Sequence, residues 1–96
     1  MLMTRLSDWV QRMTTTSSQI AVDGTAVLLV EEAPQYQEVS VHSTQPIFIG
    51  DSAVTSSTGY KVDKDLNFTF TLAPHVKSYA IANGVPATVY VLVTVL

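Results

Sequence analysis

The segment from residue 47 to 52 reads Ile-Phe-Ile-Gly-Asp-Ser, and a Gly-Asp-Ser triplet after an apolar strand can present a nucleophilic serine. A serine hydroxyl becomes a useful nucleophile only when a histidine takes its proton and a carboxylate orients that histidine. The two histidines are His42 and His75, and neither has an aspartate three residues before it. We therefore interpret the triplet as a turn, in which Gly50 permits unusual backbone angles while the Asp51 and Ser52 side chains bond nearby backbone donors.

The stretch Asp63-Lys-Asp-Leu-Asn67 resembles the opening of a calcium-binding loop, where alternate oxygens converge on the cation. The sixth position of such a loop should be glycine and the twelfth glutamate, but here they are Phe68 and Pro74. The stretch is therefore predicted to be a solvated turn. The two histidines have no metal-ligand spacing and are expected at the surface. With no cysteines and four glycines in separate turns, the sequence predicts no catalytic, metal or cofactor site.

Composition limits the remaining classes of function. The 96 residues suffice for one domain, of which 47% are apolar and only 14% charged, whereas about a quarter are charged in an ordinary soluble domain. Some apolar surface is therefore expected to contact other protein. The net charge of -3 and the scattered cations argue against nucleic-acid binding. No apolar run approaches the ~18 residues of a membrane span, and no signal segment is recognisable, so we expect a soluble protein made in the cytoplasm.

Residues Leu2 to Met13 have the pattern of a short amphipathic helix. Its apolar face contains Leu2, Leu6, Trp9, Val10 and Met13. An isolated helix of this length is marginal in water, so it must dock on its own domain, on a partner subunit or on a membrane. The membrane is the least favoured of the three, because two arginines are few for an anionic lipid surface. The polar run Thr14–Ser18 follows and is predicted to be a flexible joint. The predicted organisation is a helical arm and joint over residues 1–18 and a β-domain over residues 19–96.

From residue 19 the apolar pattern has a period of two, and seven or eight short strands alternate with turn residues. Asp23-Gly24 predicts a hairpin between the first two strands. The last strand places four valines on one face and Tyr90, Leu92 and Leu96 on the other, which predicts a central strand or an interface on its outer face. The predicted fold is all-β: a small antiparallel β-sandwich, jelly-roll-like, or a barrel, with a short N-terminal helical arm.

Residues 49–96 resemble small structural proteins of tailed bacteriophages. The shared features are a Gly-Asp-Ser-x-Val-Thr turn at 50–55, a Gly-Tyr pair at 59–60, an amphipathic strand, a Tyr-Ala-Ile-Ala strand at 79–82 and a closing Val-x-Val-Leu strand. The charged Asp63-Lys-Asp65 departs from the proline- and glycine-containing turn of many relatives. The resemblance implies a virion component on the outer capsid surface, a decoration or cement protein that binds the major capsid protein, is often trimeric and extends an N-terminal segment across the lattice.

Two main hypotheses follow for function. The first is a non-enzymatic capsid decoration protein that stabilises the assembled head, binding through the arm and through apolar edges of the sandwich. The second is a head-fibre, spike or tail accessory domain that binds host-surface carbohydrate on a platform of aromatic and polar side chains, with Tyr36, Tyr60, Tyr79 and Tyr90 as candidates. An esterase centred on Ser52 has the least support.

Overall fold

The computed structural model describes residues 14–96, which form eight β-strands and no helix. The strands are β1 (Thr14–Val22), β2 (Val27–Val30), β3 (Gln37–Ser43), β4 (Ile47–Gly50), β5 (Tyr60–Val62), β6 (Asn67–Leu72), β7 (Ser78–Ala82) and β8 (Ala87–Val95). The all-β prediction is therefore confirmed for this part of the chain. The predicted helical arm, with Leu2, Leu6, Trp9, Val10 and Met13, lies outside the described residues.

The strands form two four-stranded antiparallel sheets. Sheet A has the order β1-β8-β3-β6 and sheet B the order β2-β7-β4-β5. The pairs are nested along the chain, because the first strand pairs with the eighth, the second with the seventh, the third with the sixth and the fourth with the fifth. Within residues 14–96 no helix exists that is long and apolar enough to cross a membrane.

Alternation of apolar and polar residues along the strands builds one core between the two sheets. Val39, Val41, Val89 and Val91 point inward from sheet A, and Ile47 is one of the residues that meet them from sheet B. Each of these five side chains is at most 2% exposed. Burying one such side chain contributes about 1.5–3 kcal/mol, so the central strands β3 and β8 hold the sandwich together.

The predicted flexible joint Thr14–Ser18 is wrong in this structure, because these residues are the first half of β1. They pair with the end of β8, with Ser17 opposite Leu92 and Thr15 opposite Thr94. The absence of apolar residues suggested a joint, but backbone hydrogen bonds to a nine-residue partner strand do not need apolar side chains. Threonine also favours extended backbone because its branched side chain fits a pleated surface.

The predicted hairpin at Asp23-Gly24 is also wrong, because this turn carries the chain from sheet A to sheet B. β1 pairs with β8 and β2 with β7. The turn is held by the Asp23 side chain, which accepts a hydrogen bond from the Thr25 amide at 3.0 Å, and by the Asp23 carbonyl, which accepts one from the Ala82 amide at 2.8 Å. A two-residue primed turn would need positive φ, and Gly24 does not have it.

An aromatic stack closes one open side of the sandwich. Tyr60 on β5, the edge strand of sheet B, stacks on Phe68 of β6, the edge strand of sheet A, with ring centroids 5.1 Å apart. Phe68 in turn stacks on Phe70 at 5.6 Å. Offset aromatic pairs contribute about 0.5–1.5 kcal/mol beyond their buried area, so the stack joins two edges that share no backbone hydrogen bonds.

Candidate functional site

The Gly-Asp-Ser segment has the turn geometry expected from the sequence. The Asp51 carboxylate accepts a hydrogen bond from the Ala53 amide at 2.9 Å, and the Asp51 carbonyl accepts one from the Val54 amide at 3.0 Å. The expected reason for the glycine is wrong, since the φ of Gly50 is not positive. A Cβ atom at Gly50 would lie 2.8 Å from Val54 Cγ2, so the glycine is required by close packing.

The loop after β4 folds back over the outer face of sheet B. Val54 lies over Gly50 and Gly59, and it is only 5% exposed. The loop is fixed by Thr55, whose carbonyl accepts from the Gly59 amide at 2.9 Å and whose amide donates to Thr58 Oγ1 at 3.0 Å. These hydrogen bonds hold residues 51–59 as an ordered loop that packs on the outer face of sheet B.

The charged turns lie apart from the Gly-Asp-Ser segment. The Asp65 amide donates to the Ser43 carbonyl at 2.8 Å, and Asp65 has a φ of 60°. His75, with a φ of 65°, lies in another turn, where Nδ1 is 3.8 Å from a Glu32 carboxylate oxygen. Among residues 14–96, no three histidine, aspartate or glutamate side chains converge as a metal site would require.

The outer face of sheet B carries a compact apolar cluster. Tyr79 pairs with Leu28, and Ile81 pairs with Phe48 on the next strand. All four side chains are half-buried on the outer side, because Ser78, Ala80 and Ala82 occupy the inner positions of β7. We call Leu28, Phe48, Tyr79 and Ile81 the apolar block. Sequence reasoning missed it, although β7 signals it by placing small residues inward and large ones outward.

The outer face of sheet A is different and carries a groove along β8. Tyr90 and Leu92 form its centre, and each is 44% exposed although β8 has a paired strand on both sides. The groove has a volume of about 830 Å3. Two rows of outward side chains cross it, strand by strand: Gln19, Tyr90, His42 and Asn67 in one, and Ser17, Leu92, Ser40 and Thr69 in the other. We call this the β8 groove.

Hydrogen bonds fix the polar wall of the β8 groove. His42 Nδ1 is 3.0 Å from the Asn67 side-chain carbonyl oxygen, and His42 Nε2 is 3.7 Å from an Asp65 carboxylate oxygen. Since the Asn67 oxygen can only accept, the His42 Nδ1–H donates. The imidazole lies 6.3 Å from the Tyr90 ring at an interplanar angle of 58°. The His42 ring is thus held between β6 and β8.

The predicted interface residues of the last strand occupy two places. Tyr90 and Leu92 lie together in the β8 groove, whereas Leu96 lies beyond the end of β8, where its amide donates to the Tyr36 carbonyl at 2.9 Å. The four tyrosines do not form one platform. Tyr60 stacks on the edge of the sandwich and Tyr79 lies on sheet B, so only Tyr90 belongs to the groove.

Comparison with known proteins gives little similarity in sequence. No family model matches the chain, and no curated protein matches it. Among solved structures, a chain of the disulfide-linked pili that form Bacillus endospore appendages is similar with a TM-score of 0.49 and 13% identity, covering 88% of this chain and 90% of that one.

Proposed function

We propose that the protein is a non-enzymatic docking protein of a bacteriophage particle, which binds the major capsid protein on the outer surface of the assembled head and reinforces the shell. The resemblance of residues 49–96 to phage structural proteins supports the assignment to a bacteriophage particle. The nested pairing of strands supports a jelly-roll-like sandwich, an architecture found in viral capsid and lectin domains.

The apolar block is the observation that carries this proposal. Leu28, Phe48, Tyr79 and Ile81 form a contiguous, half-buried patch beside the loop of residues 51–59, and a patch of large apolar side chains on an outer face marks protein contact. Lys61 is on the same side and forms a 3.4 Å ion pair with Asp63. An apolar centre with charges at its margin is the usual arrangement of a protein interface.

The size of the block indicates that docking needs further contacts. The block lies on three strands, β2, β7 and β4; with strands about 4.8 Å apart and four residues long, this is a face of about 190 Å2. A standard interface buries about 800 Å2 on each partner, roughly four times as much. The predicted arm around Leu6, Trp9 and Val10 and the chain end at Leu96 would supply part of the difference. A homo-oligomer, with a trimer favoured, would multiply the same contact on a repeating lattice.

Reinforcement then follows from mass action. A protein that binds the assembled shell but not its dissociated subunits shifts the equilibrium towards the shell by RT ln(1 + [L]/Kd). At a free concentration of one hundred times Kd this is about 2.7 kcal/mol for each occupied site. No catalytic group is required for such a function.

The test is co-sedimentation of the purified protein with undecorated capsids. We expect the wild-type protein to pellet with the particles and the Ile81→Thr and Phe48→Thr variants to remain in the supernatant. Thr71→Ala, on the outer face of sheet A, is the matched control and should pellet like the wild type. A wild-type protein that stays in the supernatant would refute the decoration role, and block variants that pellet normally would refute this docking face.

A further inference from the structure

We propose that the β8 groove is a binding site for a neutral oligosaccharide, with Tyr90 as the surface on which a sugar ring stacks. The groove and the apolar block lie on opposite outer faces of the sandwich, so the groove is directed away from whatever the block contacts. The inference goes beyond the docking function and does not depend on it.

The dimensions of the groove fit a small ligand. Its volume of about 830 Å3 lies inside the ~300–1,000 Å3 range of small-molecule sites. Side chains from all four strands of sheet A line it, with Gln19 on β1 at one margin and Asn67 on β6 at the other. A site that extends across a whole sheet suits an elongated ligand, such as a chain of sugar rings.

The side chains in the groove match the two surfaces of a pyranose. The ring of Tyr90 offers an electron-rich face that attracts the C–H bonds on the apolar side of a sugar, and Leu92 continues this apolar strip. Gln19 and Asn67 flank the strip with amides that both donate and accept hydrogen bonds, as sugar hydroxyls do. Ser40 and Thr69 add hydroxyl groups on one side.

The polar wall is arranged before any ligand arrives. The Asn67 carbonyl oxygen accepts from His42, so the Asn67 NH2 group is oriented and remains available to donate. Ser40 Oγ lies 3.0 Å from Thr69 Oγ1, which fixes a second pair across β3 and β6. Side chains that are already held in place lose less conformational entropy when a ligand binds.

The charge of the groove selects a neutral ligand. The described residues that line it include no lysine or arginine, and Asp65 lies beside its His42 end. Glu38 continues the outer face in the next row of β3. Among the described lining residues, sialylated, sulfated or phosphorylated glycans would meet negative charge and no lysine or arginine to pair with. Hydroxyl and amide side chains surround the apolar strip of Tyr90 and Leu92, and this arrangement matches the C–H face and the hydroxyl edge of a sugar better than it matches a protein segment.

The test has two steps, beginning with a glycan array that carries neutral and sialylated oligosaccharides. We expect neutral glycans to be retained and sialylated ones to be excluded. The strongest neutral oligosaccharide is then titrated into 15N-labelled full-length protein, and we expect amide shifts at Tyr90, His42 and Asn67. Tyr90→Ala should weaken binding at least tenfold, whereas Tyr90→Phe, which keeps the ring, should stay within about threefold of the wild type.

Two controls separate this site from the docking function. Tyr60→Ala removes a tyrosine outside the groove that is 62% exposed, against 44% for Tyr90, and should bind glycan normally. Tyr90→Ala should still pellet with capsids, so failure of the groove and failure of the docking face give different results. Binding restricted to anionic glycans, no binding to any neutral glycan, or a Tyr90→Ala variant that loses capsid binding but keeps glycan binding would each overturn the proposal.

Discussion

Replacing Gly59 with alanine should destabilise the sandwich more than any other glycine-to-alanine change in residues 14–96. The new Cβ atom would lie 2.6 Å from Phe48 Cβ and 2.7 Å from Val54 Cγ2. Carbon atoms pack at about 3.5–4.0 Å, so each contact is roughly 1 Å too short. Phe48 Cβ is attached directly to the backbone of β4, which pairs with both β5 and β7, and it cannot retreat without moving the sheet.

The expected magnitude follows from this rigid contact. Overpacking of a well-packed site costs about 1–3 kcal/mol, and we expect Gly59→Ala at the upper end. In a domain of this size each 1 kcal/mol lowers Tm by about 4–8 °C, so the melting temperature should fall by roughly 10–20 °C. Gly24→Ala is the matched control, because a Cβ there meets nothing within 4 Å and φ is not positive. It should leave stability unchanged or raise it by up to about 1 kcal/mol.

A double-mutant cycle tests whether these close contacts cause the loss of stability. A Cβ at Gly50 would meet only Val54 atoms, the nearest being Cγ2 at 2.8 Å. Gly50→Ala should therefore cost less in a Val54→Ala background than in the wild type, whereas Gly59→Ala should keep most of its cost because Phe48 Cβ remains. Urea unfolding followed by far-ultraviolet circular dichroism measures all the variants. A Gly59→Ala protein within 0.5 kcal/mol of Gly24→Ala would refute the reasoning.

Three further predictions concern separate features. Ser78 is 2% exposed and its hydroxyl has no hydrogen-bond partner within the described residues, so Ser78→Ala should raise the free energy of unfolding by up to about 1 kcal/mol. Ser43→Ala loses a hydrogen bond to the Gln45 carbonyl and should lower the free energy of unfolding by about 1–2 kcal/mol. Urea unfolding measures both variants. Tyr60→Ala should lower stability by about 1–2 kcal/mol, and an unchanged Tm would contradict the stacking. Trp9→Ala should abolish capsid co-sedimentation without changing Tm; retained binding would contradict docking by the arm.

Much of the fold could be predicted from the sequence, because the alternation of apolar and polar residues along a strand shows which of its faces points to the core. The valines of β8 alternate with Tyr90 and Leu92, and the structure buries Val89 and Val91 while leaving the alternate residues exposed. That pattern depends only on the two-residue period of a strand between a core and solvent. The sequence therefore indicated which side chains of β8 were available for contact.

Strand partners were harder to predict because they depend on residues far apart in the chain. Asp23-Gly24 has the composition of a hairpin turn, but the chain must cross between sheets, and tertiary pairing decides that. Thr14–Ser18 lacks apolar residues, so its membership of β1 follows only from the length of β8. The polar residues of the β8 groove were missed for the same reason, because Gln19, His42 and Asn67 come together around Tyr90 only across four strands.

The pairing of the first strand with the last also constrains how the chain folds during synthesis. β8 is the central partner of both β1 and β3, so sheet A cannot be completed until residues 87–95 have been synthesised. Until then β1 has no neighbour, and its backbone amides remain bonded to water. Contacts between such distant positions slow folding. A nascent chain arrested before residue 87 should therefore be readily cleaved by proteases. Full resistance to proteolysis should require β8.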